Sequence, residues 1–141
     1  MKKFINKVEN VELEMLEGIA KAHPQQLKKL PDFNVLVRAE KKTDKVALVS
    51  GGGSGHEPAH GGFVGKGMLD AAVAGAVFTS PTPDQVEAAI REVATPAGVL
   101  LVVKNYTGDV MNFEMAAEMA EMDGIKCAQV VTNDDVAVQD S

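Results

Sequence analysis

The stretch VALVSGGGSGHEPAHGG, Val46–Gly62, limits what this chain can fold into more than any other. Its apolar head, Val46–Val49, has the length and composition of a buried strand. Four glycines follow within five positions, and then His56, Glu57, Pro58 and His60. Without a Cβ, glycine takes positive φ angles and lets another group come close. A strand that opens into such a loop, with polar side chains at its far end, is a common way to build a small-molecule site on an α/β sheet. A second stretch has the same grammar: Gly98–Val103 is apolar, and Lys104–Asp109 (KNYTGD) is polar. If the two strands are neighbours, His56 and Asp109 face one cleft.

Around these two stretches, strands and helices alternate. Ile5, Val8, Met15, Leu16, Ile19 and Ala20 recur at a helical period, with Asn6 and Glu9 spaced as a capping box. Pro24 ends that helix near His23, which reads as a terminal cap and not as a reacting group. Phe33–Arg38 reads as a first strand, with solvated linkers at Gln25–Lys29 and Lys41–Lys45 on either side. Phe63–Leu69 keeps adding glycine, so the chain winds around the site before Ala72–Phe78 forms a strand. A stiff Thr-Ser-Pro-Thr-Pro turn leads into a helix, Asp84–Val93, with Val86, Ala89, Ile90 and Val93 on one face. Gly98–Val103 is a strand and Val110–Met122 a helix, with Asp109 at or near its cap and Gly124 as its stop. The helix's methionines, Met111, Met115, Met119 and Met122, read as adaptable core or interface filler. Ile125–Val131 is a last strand before the acidic turn Asn133–Asp135. The alternation predicts a layered α/β domain with a largely parallel or mixed sheet flanked by helices.

Composition excludes several functions. At 141 residues the chain is one domain long, and its 45% hydrophobic content supports a core. A net charge of −6 argues against a nucleic-acid surface. The longest apolar run is too short to span a membrane. The lone Cys127 has no internal disulfide partner, which fits a reducing cytoplasm.

Four motifs compete for the glycine loop. A phosphate-binding P-loop needs a lysine and a hydroxyl after its glycines, where His56 and Glu57 stand. A dinucleotide fingerprint needs glycine at the position of His56, because that glycine lets helix and strand pack closely. A nucleophile elbow around Ser54 meets the same histidine. His56-Glu57-Pro58-Ala59-His60 matches the zinc signature H-E-x-x-H, which requires both imidazoles on one helical face. Pro58 in its centre opposes that helix, so no metal site is expected. What the residues leave open is a ligand-binding glycine loop or a merely tight turn, and a catalytic Asp109 or an ordinary cap.

In this order, GGGSGHEP, GMLDAAVAG, FTSPTPDQ, KNYTGDVMNFEMA and NDDVAV resemble the dihydroxyacetone-binding K subunits of bacterial dihydroxyacetone kinases. The opening, MKKFINKVENVELEMLEGIAKAHP, resembles the phosphotransferase-system form. The resemblance implies that Gly53 and His56 hydrogen-bond dihydroxyacetone, and that Asp109 accepts the proton of the attacking hydroxyl with His56 assisting. It implies no cofactor on this chain. The nucleotide, ADP or ATP with magnesium, is expected on a partner L subunit, and an M subunit is expected to pass phosphate from phosphoenolpyruvate. A non-catalytic, dihydroxyacetone-sensing coactivator paralog is the alternative.

In that family a later histidine captures the substrate carbonyl covalently. Residues 1–141 therefore read as an incomplete N-terminal domain, expected to be inactive alone and to discriminate poorly against glycerol. A bare sheet edge left by stopping in mid-fold favours self-association, in keeping with a homodimer.

Overall fold

The computed structural model of the chain describes residues 1–137. The expectation that no finished element closes the chain at Ser141 lies outside the described residues. Three helices, α1 (Val11–Ala22), α2 (Pro83–Val93) and α3 (Thr107–Met122), flank a sheet of six strands. The strands are β1 (Leu27–Lys29), β2 (Val35–Arg38), β3 (Ala47–Ser54), β4 (Ala71–Val77), β5 (Val99–Lys104) and β6 (Cys127–Thr132). Their spatial order is β1-β2-β4-β3-β5-β6. From β4 to β6 every pairing is parallel, while β1 and β2 join as an antiparallel edge. The fold is the expected layered α/β domain, in its mixed form.

Alternation along the strands sorts the core into two layers. Ala47, Val49, Val73, Leu101 and Val103 point to α2 and α3, where they bury Ile90, Phe113, Ala116 and Ala120. Leu36 and Ala72 point the other way, to Leu16 of α1 and to Val64 and Leu69 of the segment that links β3 to β4. That segment winds irregularly, as expected, through a 3-10 turn at Gly61–Phe63 and a single bridge between Val64 and Leu69.

Several local expectations are corrected. Gln25–Lys29 is not all linker, because Leu27 is buried and pairs with Arg38 across the β1–β2 ladder. The capping box does not form: Asn6 donates to the Glu14 carboxylate at 2.8 Å, and α1 begins only at Val11. His23 does occupy the C-cap, with its backbone N–H on the Ile19 carbonyl at 3.1 Å. Of the α3 methionines, Met111, Met115 and Met122 are at least half exposed, which rules out their core alternative, while Met119 is half-buried.

The glycines that were expected to begin a loop continue β3 to Ser54. They are there because neighbouring backbone lies too close for a side chain. A Cβ on Gly51 would come within 2.4 Å of the Val73 carbonyl oxygen.

One polar cluster was not anticipated. Asp70, 4% exposed, accepts from the Leu48 N–H at 2.8 Å and pairs with Lys45 and with Arg38, whose Nη1 lies 3.5 Å away. It ties the start of β4 to β2 and β3. Among the described residues no helix is long and apolar enough to cross a membrane.

Candidate active site

The neighbours β3 and β5 send the chain away on opposite faces of the sheet. After β3 it crosses the α1 face to reach β4, and after β5 it enters α3 on the other face. Divergent connections open a crevice at the carboxyl ends of the two strands, the usual ligand position in an open α/β sheet. Gly53 lies near the end of β3 and His56 just beyond it, and Asp109 lies in the first turn of α3, the helix that follows the neighbouring strand β5. His56 and Asp109 make no hydrogen bond to each other among the described residues.

The turn after β4 fixes the shape of the crevice. Phe78 donates its N–H to the Ser54 carbonyl at 2.8 Å, and Thr79 lies over Gly53, where a Cβ would be 2.7 Å from the Thr79 nitrogen. The next residue, Ser80, abuts α3: a Cβ on Gly108 would come 2.7 Å from its Oγ. Asn112 of α3 donates to the Pro81 carbonyl at 2.9 Å. Two glycines thus let one turn bridge the ends of β3 and α3.

Asp109 is near the helix cap, as expected: Tyr106 holds the cap position and Asp109 stands in the first turn of α3. It sits two residues inside the helix and is only 2% exposed. Its Oδ1 is buried with no hydrogen-bond partner among the described residues, and its Oδ2 lies 4.0 Å from the Lys104 ammonium. Buried carboxylate oxygens are almost always paired, so this orphan is exceptional. The N-terminal turn of α3 supports negative charge there.

Lys104 and His60 were missed by sequence reasoning. The sequence marks Lys104 only as the first residue of the polar stretch after β5. Alternation puts it on the α1 face with Leu100 and Val102, and it reaches over Gly52, where a Cβ would lie 2.6 Å from its Nζ. His60 approaches from the other side, with its Cε1 3.2 Å from the same point. Burial first, and then the positive charge of Lys104 and the neighbouring His56, push the His60 pKa down to about 4. At neutral pH it is an uncharged imidazole beside an ammonium. The strand alternation of GVLLVVK was the one available signal for Lys104.

His56 is exposed, and its ring meets the ring of Phe78 edge-on, with centroids 5.4 Å apart and planes at 82°. Glu57 turns back so that its carboxylate accepts the Gly55 N–H at 3.0 Å. Residues 56–60 form a turn and not a helix, so the single helical face on which the zinc signature depends is not made. Gly51, Gly52 and Gly53 are paired in the ladder with β4 and do not form an open glycine loop. A cavity of about 580 Å³ opens on the α1 face and includes Gly53 and His60, but neither His56 nor Asp109 lines it. His56 and Asp109 therefore stand outside that cavity.

An open α/β sheet whose chain leaves β3 and β5 on opposite faces is a common frame for a small-molecule site. The chain belongs to the Dak1 domain family, which matches residues 17–141. It is 59% identical to the dihydroxyacetone-binding subunit DhaK of the PTS-dependent dihydroxyacetone kinase of Lactococcus lactis subsp. lactis (strain IL1403), over 99% of this chain and 42% of that protein. The crystal structure of the dihydroxyacetone kinase of C. freundii superposes with a TM-score of 0.93 and 44% identity, covering 99% of this chain and 27% of that one. The dihydroxyacetone kinase operon co-activator Dha-DhaQ superposes with a TM-score of 0.85 and 41% identity, covering 94% and 40%. The chain thus spans less than half the length of these relatives.

Proposed function

We propose that this chain forms one wall of a dihydroxyacetone site, at which a partner subunit phosphorylates the bound substrate. The observation that carries the reading is the orphan Oδ1 of Asp109. A substrate hydroxyl donating to it is oriented for attack on phosphorus. As the O–P bond forms, the bond from that phosphorus to the partner-held nucleotide breaks and ADP departs, while the hydroxyl proton passes to the carboxylate. Phosphoryl transfer asks little more of a protein than such positioning and a base within hydrogen-bond reach. His56, with the strand end at Gly53, holds the substrate, and Lys104 supplies positive charge beside the reacting oxygen.

The phosphoryl donor belongs on a partner: an L subunit carrying ADP, or ATP, with magnesium, recharged in the phosphotransferase form by an M subunit. The strand position of the glycines supports placing the nucleotide off this chain. We assign the protein to the reducing cytoplasm, on its lone Cys127, and infer a homodimer. The outer edge strand β6, with Val130 47% exposed, offers a surface for self-association.

In the complete kinase assembled around this chain, Asp109→Asn should cut turnover by a hundredfold or more, the scale of a lost general base, and leave dihydroxyacetone binding largely intact. Wild-type turnover in that variant removes Asp109 from the mechanism. The second reading, a dihydroxyacetone-sensing co-activator, is favoured by the likeness to Dha-DhaQ. It predicts binding without turnover even in the complete assembly.

A further inference from the structure

Phe78 breaks two rules at once. It is a large apolar side chain left 72% exposed, and it holds φ at 52°, the left-handed region that L-residues other than Asn and Asp seldom enter. Strained backbone of this kind persists only where the surroundings over-determine it, and it gathers at functional sites. Here the surroundings are the end of β3. The Phe78 N–H is bonded to Ser54, and its ring lies flush on Gly55, where a Cβ would meet Cε1 and Cζ at 2.9 Å. The same ring then meets the imidazole of His56 edge-on at 5.4 Å. No hydrogen bond holds that imidazole among the described residues, although a ring meant to bind substrate has to be fixed in direction. A glycine at position 78 would make the turn without strain. It would not supply the ring.

We propose that Phe78 is a positioning residue, whose strained backbone aims its ring to hold the His56 imidazole over the crevice. The inference rests on His56 as a substrate-binding residue, and it deepens that reading.

The test is NMR of this chain, as wild type and as Phe78→Leu, Phe78→Tyr and Phe78→Gly, alone and with dihydroxyacetone. Wild type and Phe78→Tyr should show dipolar contacts between the two rings and one set of His56 ring signals. Phe78→Leu and Phe78→Gly should lose the contacts, and their His56 ring signals should move to rotamer-averaged positions. The dissociation constant for dihydroxyacetone should rise about five- to tenfold in Phe78→Leu, the size that one aromatic pair carries, and stay within about twofold in Phe78→Tyr. Phe78→Gly should melt no lower than wild type, because it relieves the positive φ.

Unmoved His56 ring signals in Phe78→Leu and Phe78→Gly overturn the proposal. So does a Phe78→Gly protein that melts well below wild type, which would make Phe78 a structural residue. Ring contacts that behave as predicted, in a wild-type chain whose His56 ignores dihydroxyacetone, would uphold the positioning role and defeat the substrate-binding one.

Discussion

Removing the side chain of Asp109 should make this protein more stable. The carboxyl group is 2% exposed, and its Oδ1 has no partner among the described residues. A buried acceptor left unpaired costs about 1–3 kcal/mol. Two interactions offset that cost. The first turn of α3 favours a negative charge by about 0.3–1 kcal/mol. The Lys104 ammonium, 4.0 Å away on a side chain still 23% exposed, adds about 0.2–1 kcal/mol. Asp109→Ala removes all three terms, and it gains roughly 0.5 kcal/mol because alanine favours a helix interior over aspartate. The balance is a stabilisation of about 1 kcal/mol, or a rise in Tm of roughly 3–5 °C for a domain of this size. The chain has no tryptophan, so urea and thermal unfolding should be followed by far-ultraviolet circular dichroism. A loss of more than about 1 kcal/mol would refute the reasoning. Asp109 would then be a structural group with partners, and not an acceptor kept unsatisfied for a substrate.

Asp70 is the contrasting case, since it is equally buried but fully partnered by Arg38, Lys45 and the Leu48 N–H. Asp70→Ala strands the buried Arg38 and should lower stability by about 3–5 kcal/mol in the same unfolding experiment. The two neighbouring glycines should also part company. Gly53→Ala drives a Cβ against the Thr79 backbone and should destabilise by about 1–3 kcal/mol. Gly52→Ala meets only the flexible end of Lys104 and the rim of His60, so it should unfold like wild type while weakening dihydroxyacetone binding. Acid should expose His60. Its folded pKa of about 4 lies below the ordinary 6.5, so the unfolded chain takes up the proton first. The associated stability is whole above pH 6.5 and drains as pH falls towards 4. For a half-buried ring it amounts to about 1–2 kcal/mol once solvent screening is allowed for. His60→Gln should flatten that part of the pH–stability curve.

The strands β3 and β5 and the helix α2 were legible because each carries a clean period, and Pro83 marks where α2 begins. The two-sidedness of the sheet followed from their alternation. What the sequence hid was set by distant contacts. β1 is three residues long with two lysines among them, and it becomes a strand only because Leu27 finds a buried place beside β2. The glycines after Val49 looked like a loop, since nothing local reveals that β4 and the turn at Phe78–Thr79 press against them. At the candidate site, the family resemblance names His56, Gly53 and Asp109 as candidates. It passes over Lys104 and His60, whose importance lies in meeting across Gly52 from elements 44 positions apart. The orphaned oxygen of Asp109 is likewise a property of packing, and a helix-cap reading was the natural local one.

The most direct test of the account is an NMR titration of this chain with dihydroxyacetone, following the backbone amides of Gly53, His56 and Asp109. The crevice described here predicts saturable shifts at all three, with residues on the opposite edge of the sheet, such as Leu27 and Lys28, unmoved. A well-dispersed spectrum in which those three amides stay still at every soluble concentration of the ligand would contradict the claim that this chain by itself shapes its wall of the site.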